Sequence, residues 1–368
     1  MTPVVRPPHP WSDLGCAPAE LCLAVGGLLR GEDAALAGQL AGGGLSSQAL
    51  DILVARHRMG PFLNFRLEGS PLGPVLPAEL RARISKTAER QAVLAERCLS
   101  GLDELAKAFQ AEGIPLVVIK GLEMAQRLFG GVSRRGFWDL DLLVREVDRH
   151  RTCRLLESRG FHLKSSVFLS ERLSARFTHA LDYAKGEIKL DLHWCLSRLP
   201  GLRIDSAGLF ARAERLDLHK LEVQVLSLED ELAFVLVSVF ADIQRGYLRL
   251  QSLVDIWALL QRLPDLDWAG FFARRRLERS EFICRGVLGL LLGSLGLEAE
   301  FPALKQALGV TPSRDEALFV LERSGGGSRG KRWAAQRLPV TRPYYACWWL
   351  VSLPFRTAVS HPRFRRKV

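Results

Sequence analysis

The sequence lacks the features that mark membrane-spanning or secreted proteins. No apolar run approaches the roughly 18 residues that a membrane-spanning helix needs, and the mean hydropathy is only +0.06. Residues 1–10 contain several prolines but no apolar core of the signal-peptide kind. We therefore expect a cytoplasmic protein.

Paired cysteines and internal repeats are also missing. The seven cysteines are scattered along the chain, and no two of them stand at CxxC spacing. This pattern speaks against a zinc site or a disulfide framework. We expect reduced thiols that are mostly buried and behave as small hydrophobic side chains.

Positive charge exceeds negative charge, with 51 Lys and Arg against 40 Asp and Glu, a net charge of +11. Such a balance favours anionic partners such as nucleotides, nucleic acid or an acidic membrane surface. Arginine is spread along the whole chain, however, without the basic stripe and interleaved aromatics that single-strand binding favours, so we expect no specific nucleic-acid partner. Residues 324–368 combine a Gly-Ser linker with a basic and aromatic tail. This tail is predicted to be a packed terminal helix with a solvated basic end, or a weak contact with a membrane or an acidic partner.

Hydrophobic periodicity predicts an α+β fold, in which a small mixed β-sheet is flanked by helical regions. Residues 1–112 show apolar positions at helical spacing, and helices return after residue 200. Between them, short β-branched or alternating runs predict strands at residues 114–119, 139–144 and 187–194, separated by helices. The predicted domains are therefore an N-terminal helical region (1–112), a core (113–200), a C-terminal helical domain (201–323) and the tail.

Three carboxylates carry the predicted chemistry. Asp139 and Asp141 stand two apart on a strand and therefore project to the same side, while the leucines between and after them face the core. Two adjacent carboxylates repel each other unless a cation lies between them, and Mg²⁺ prefers such oxygen ligands. Asp191 occupies the polar face of a later strand and would complete a site for one or two metal ions. The alternative is a solvated strand end.

Four further residues are predicted to serve this site. Lys120 and Gly121 end the first strand and open a helix, where backbone amides and a cation can meet phosphate. A glycine there allows close backbone approach by a triphosphate. Arg135, just before the acidic strand, could offset phosphate charge. His193 shares the polar face with Asp191, where it could orient a metal ligand or form a structural hydrogen bond.

Together these motifs resemble the nucleotidyltransferase core shared by DNA polymerase β and kanamycin nucleotidyltransferase. The resemblance is nearer to a bacterial family of uncharacterised nucleotidyltransferases, often found in peptide- and polysaccharide-biosynthesis clusters, and it covers residues 47–280. Its matching segments are residues 55–58, 119–121, 135 with 139–144, 156–161, 190–194 and 253–256.

The resemblance implies a nucleotidyltransferase that uses Mg²⁺ and moves a nucleoside monophosphate from an NTP, expected to be ATP, to an acceptor. The acceptor, a small molecule, peptide or protein, is not identified by the sequence. Asp139, Asp141 and Asp191 would hold the metal, and Lys120, Gly121, Arg135 and His193 would serve the nucleotide. The chain departs from the superfamily at Leu122, where a serine usually follows the turn glycine. This departure supports an alternative function, a catalytically weak nucleotide-binding or scaffold protein that keeps the fold.

Overall fold

The computed structural model describes residues 17–164, 180–197, 199, 201–245 and 248–324. The basic tail from residue 325 onward lies outside these residues, so its predicted contacts stay predictions. Five cysteines fall within the described ranges, and all five are free thiols, four of them buried. No helix in the described ranges is both long and apolar enough to cross a membrane.

Helices flank a central sheet on both sides in sequence, as the periodicity predicts. Those before the sheet are α1 (Pro18–Leu29), α2 (Asp33–Ala41), α3 (Ser47–Ala55), α4 (Gly60–Leu67), α5 (Leu72–Val75) and the long α6 (Ala78–Ala111). Within and after the sheet come α7 (Gly121–Phe129), α8 (Arg149–Ser158), α9 (Ser206–Ala211), α10 (Leu228–Arg245), α11 (Leu250–Gln261), α12 (Trp268–Leu277), α13 (Glu281–Leu295), α14 (Pro302–Leu308) and α15 (Arg314–Ser324).

The described strands form one mixed sheet. They are β1 (Leu116–Ile119), β2 (Leu140–Val144), β3 (His162–Leu163), β4 (Ala180–Lys185), β5 (Ile188–His193), β6 (Glu214–Leu218) and β7 (Leu221–Val225), in the spatial order β3-β4-β5-β2-β1-β7-β6. β1 pairs antiparallel with β2 and parallel with β7, and β2 pairs parallel with β5. The predicted α+β fold class and the three predicted strands are confirmed.

The sheet is larger than the sequence pattern indicates. β6 and β7 form a hairpin beyond residue 200, where only helices are predicted, and β3 and β4 extend the opposite edge. The hairpin strands alternate between apolar and charged residues over only five positions each. A run this short cannot be distinguished from a loop in the sequence. It becomes recognisable as a strand only in the structure, where β7 pairs with β1.

Two hydrophobic cores stabilise the molecule. One consists mainly of the N-terminal helices and the C-terminal helices together, although the sheet separates them in sequence. The other lies between one sheet face and the helices α6, α7 and α8, and it includes Leu140, Leu142, Leu190 and Leu192. The opposite sheet face has only a small apolar cluster with Phe234 of α10. The sheet face that carries this small cluster is therefore the one available for polar chemistry.

Candidate metal and nucleotide site

The acidic residues of β2 and β5 lie side by side on the polar face of the sheet. The two strands are parallel neighbours, and their register sets Asp141 opposite Asp191. Leucines on either side of each aspartate point into the core on the other face, because successive side chains of a strand alternate between faces. The alternation that buries the leucines thus places both carboxylates together.

His193 completes a group of potential metal ligands with these two carboxylates. One ligand atom from each of Asp141, Asp191 and His193 lies within 4.8 Å of the others. The Nε2 atom of His193 is 3.0 Å from Oδ1 of Asp141, and an ionised carboxylate only accepts, so Nε2 is the donor. Burial lowers the pKa of His193 despite this contact. The imidazole is therefore neutral at pH 7, the form in which it can bind a metal.

The surrounding protein balances only part of the negative charge at this cluster. Burial, followed by the charges of Asp141, Asp139 and Asp182, raises the pKa of Asp191 to about 8. Burial and Asp141 likewise raise the pKa of Asp139 to about 6, against the opposing charges of nearby cations. Burial also acts on Asp141, but there Lys120 and the His193 hydrogen bond outweigh it and lower the pKa. Carboxylates in this arrangement fit a divalent cation that prefers oxygen ligands, such as Mg²⁺.

A fourth carboxylate, which the sequence analysis missed, extends the cluster. Asp182 of β4 lies opposite Asp191 in the antiparallel register. Burial raises the pKa of Asp182, while a hydrogen bond with Asp191 opposes that rise. The available signal was the two-residue turn at Gly186 and Glu187, since residues equidistant from such a turn pair across the hairpin.

Lys120 and Gly121 form the turn between β1 and α7, beside the start of β2. Lys120 adopts a positive φ of 54°, and its Nζ lies 4.4 Å from the ring centroid of Phe234. Gly121 has a φ of +25°, and a Cβ there would lie 3.2 Å from the carbonyl oxygen of Asp139. The absence of a side chain at Gly121 thus lets the turn pack against the acidic strand.

Arg135 has a different environment from the predicted one. Its guanidinium donates to both carboxylate oxygens of Asp255 in α11, at 2.8 and 2.7 Å, and it lies 3.5 Å from the carbonyl oxygen of Gly121. A phosphate would have to compete with this ion pair for the guanidinium. The role predicted for Arg135 at the phosphates stays a prediction. Arg58 also lies near Asp139, whose pKa its charge lowers; no role at the site was predicted for it from the sequence.

Two buried glutamates lie close to the Lys120 turn. Glu123 of α7 is 0% exposed and Glu231 of α10 is 1% exposed, and neither carboxyl group has a hydrogen-bond partner among the described residues. Burial, followed by the charge of Glu231, raises the pKa of Glu123 well above its ordinary value. Burial raises the pKa of Glu231 to about 7, although Lys120 opposes it. Nothing local in the sequence indicated that these two residues meet.

Comparison with known proteins gives one family match and several distant structural likenesses. The family described as "Uncharacterised nucleotidyltransferase" matches residues 45–291. No curated protein sequence matches the chain. The solution structure of the antibiotic-resistance factor ANT(2'')-Ia has 13% identity and a TM-score of 0.36, covering 53% of this chain and 94% of its own.

Two more solved structures give similar values. The crystal structure of ANT(2'')-Ia with adenylyl-2''-tobramycin has 13% identity and a TM-score of 0.36, covering 50% of this chain and 97% of its own. An antigenic nucleotidyltransferase-like protein from Paracoccidioides brasiliensis has 15% identity and a TM-score of 0.34, covering 59% of this chain and 94% of its own. Likenesses this distant say nothing about the substrate of this chain. The family match spans well over half of the sequence and confirms the resemblance, so the chain belongs to the uncharacterised nucleotidyltransferase family.

Proposed function

We propose that the chain is a Mg²⁺-dependent nucleotidyltransferase that transfers a nucleoside monophosphate from an NTP, expected to be ATP, to a nucleophilic group of an acceptor. The family supports this class of reaction. The observation that carries the proposal is the pairing of Asp141 with Asp191 on neighbouring parallel strands, with His193 in the same ligand group.

The donor set fits the cation that this chemistry requires. Asp139, Asp141 and Asp191 would hold one or two Mg²⁺ ions, with His193 as a further ligand or as the group that orients Asp141. When bound, such ions polarise the phosphoryl oxygens and screen the charge of the triphosphate. Lys120, whose charge acts on all three aspartates, would offset part of the remaining phosphate charge.

The transfer step is an in-line displacement at the α-phosphorus. The oxygen of an acceptor hydroxyl forms a bond to that phosphorus, the bond to the β-phosphate oxygen breaks, and pyrophosphate leaves. The hydroxyl proton passes to a carboxylate oxygen of Asp191, which lies opposite Asp141 in the proposed metal site. We infer that the acceptor, a small molecule, peptide or protein, binds beside this residue.

Calorimetric titration with ATP tests the proposal without knowledge of the acceptor. We expect the wild type to bind ATP with Mg²⁺ and to lose most of that affinity in EDTA. Asp141→Asn and Asp191→Asn should weaken the Mg²⁺-dependent binding about tenfold or more, since each removes a charged ligand. Asp103→Asn is the control, because the Asp103 side chain on α6 is 45% exposed and pairs with Lys107. Equal binding by wild type and both site variants would contradict the proposal.

The residue Leu122 supports a second candidate function for this protein. This residue occupies the position after Gly121 and is buried in the core between helix and sheet, so the turn presents no hydroxyl to a triphosphate. That observation favours a nucleotide-binding or scaffold protein with little catalysis. Pyrophosphate release from ATP, measured with pools of candidate acceptors, separates the two functions. Release that Asp141→Asn abolishes supports transfer, and tight ATP binding without release supports the scaffold.

A further inference from the structure

Arg58 joins the N-terminal helices to the loop that precedes the acidic strand. It lies between α3 and α4 with a positive φ of 63°. A Cβ at Gly136 would lie 2.5 Å from the carbonyl oxygen of Arg58, so the two backbones are in close contact. The arginine backbone is therefore fixed against the segment that leads into β2.

Among the described residues, no carboxylate forms an ion pair with the guanidinium of Arg58, although the charges of Asp139 and Asp242 act on it. The Cζ atom of Arg58 lies 5.4 Å from the centroid of the Trp138 ring, and Trp138 itself is 54% exposed. The neighbouring arginines have other partners. Arg134 donates to the carbonyl oxygen of Phe129 at 3.2 Å and lies over the ring of Phe65, whereas Arg135 is paired with Asp255.

The contacts with Gly136 and Trp138 place Arg58 beside the start of the acidic strand, and its charge acts on that strand. Burial, followed by the charge of Arg249, lowers the pKa of Arg58 to about 9, while Asp139 opposes the shift. Because arginine keeps its proton in proteins, Arg58 holds its positive charge in this largely desolvated position. Among the cations that counteract the raised pKa of Asp139, Arg58 has the largest effect and Lys120 the next.

We propose that Arg58 binds the polyphosphate of the nucleotide, with its guanidinium supported on one side by Trp138. This inference rests on the proposed function and adds a binding residue from outside the sheet core. A guanidinium presents a planar fork that matches phosphate oxygens, and a fixed aromatic surface reduces the side-chain entropy lost on binding. The N-terminal helices would thus contribute a binding group rather than only packing against the core. An anionic group on the acceptor has the same chemistry, and the test separates these sources.

Calorimetric titrations with MgATP, Mg-tripolyphosphate and adenosine, all without acceptor, test this role. We expect Arg58→Gln to weaken binding of MgATP and of tripolyphosphate about tenfold, the effect of losing hydrogen bonds to a charged group. Arg58→Lys should recover part of the loss, because it restores charge without the fork. Weak adenosine binding should be unchanged. Arg90→Gln, which removes an exposed charge on α6, is the control and should match the wild type.

Separate outcomes overturn the inference and the proposed function. If Asp141→Asn loses MgATP binding while Arg58→Gln binds MgATP and tripolyphosphate like the wild type, the inference is wrong and the proposed function stands. If the wild type binds no MgATP, both are wrong. Thermal unfolding without ligand shows whether Arg58→Gln is folded. Should it unfold, Trp138→Leu replaces it, since this variant keeps the arginine and should weaken both phosphate ligands severalfold; unchanged binding by that variant would overturn the inference.

Discussion

The guanidinium of Arg135 makes two hydrogen bonds to the carboxylate of Asp255, a residue 120 positions further along the chain. The side chain of Arg135 is only 11% exposed and that of Asp255 only 3%. Gln251 donates a further hydrogen bond to the Asp255 carboxylate, at 2.9 Å. This buried ion pair ties the loop before β2 to helix α11. It therefore connects the acidic strand with the C-terminal helices.

Removing one partner of this pair should destabilise the protein strongly. We expect Asp255→Ala to lower the free energy of unfolding by about 3–5 kcal/mol, because it leaves a buried, uncompensated guanidinium. The double variant Arg135→Met/Asp255→Leu should recover much of that loss. Asp103→Ala, which breaks an exposed pair, should cost less than about 1 kcal/mol. Urea unfolding measures all three, and equal losses for the two single variants would refute the structural role.

A methyl group at Gly121 should disturb the acidic strand. We expect Gly121→Ala to cost more stability than Gly113→Ala, although both glycines have positive φ. At Gly113, a Cβ would meet nothing within 4 Å, so only the conformational strain of about 1–2 kcal/mol applies. At Gly121, the Cβ also presses on the carbonyl oxygen of Asp139. Thermal unfolding and Mg²⁺ titration measure the difference, and identical behaviour of the two variants would show that the contact with Asp139 is unimportant.

His193 should control metal affinity through Asp141 or through its own lone pair. We expect His193→Ala to weaken Mg²⁺ binding at least about tenfold, the usual effect of losing a group that orients a ligand. Titration of Mg²⁺ and Mn²⁺ by calorimetry measures this. His193→Gln distinguishes the roles, because an amide can restore the hydrogen bond to Asp141 but is a poor substitute for imidazole as a ligand. His162→Ala, at an exposed position on β3, is the control, and equal affinity in both alanine variants would exclude either role.

Burial of Glu231 should make the stability of the protein depend on pH. Its folded pKa of about 7 exceeds the ordinary value of 4.5, so between these values the folded state holds more protons than the unfolded state. Stability contributed by this group therefore falls as pH rises through that window. We expect the free energy of unfolding of Glu231→Gln to increase relative to that of the wild type as pH rises from 4 to 8, by up to about 3 kcal/mol. Urea unfolding across that range in EDTA measures the gain.

The control for this pH effect is Glu222→Gln, because Glu222 is 66% exposed in its side chain. The free energy of unfolding of Glu222→Gln should change with pH in the same way as that of the wild type. Parallel profiles for Glu231→Gln and the wild type would mean that the Glu231 carboxyl group has the same pKa in the folded and unfolded states, and they would contradict the prediction.

The local pattern of apolar and acidic residues was sufficient to predict β2 and β5, the strands that carry Asp141 and Asp191. The alternation of leucine and aspartate around Asp141 and Asp191 follows from the two-residue period of a strand, so a single segment reveals which side chains share a face. The same holds for α6, where helical spacing of apolar residues persists over 34 residues. Signals of this kind lie within one element and need no knowledge of its neighbours.

Other relationships depend on how distant segments pack. Strand order sets Asp191 between Asp141 and Asp182. The pairing of Arg135 with Asp255 arises from contact between elements far apart in sequence. The local sequence around a charged residue does not predict which residue it will pair with. The partner is selected by burial and desolvation in the folded state. The leucine and aspartate alternation thus follows from sequence, whereas the ion pair and the carboxylate cluster exist only because the sheet and helices assemble around them.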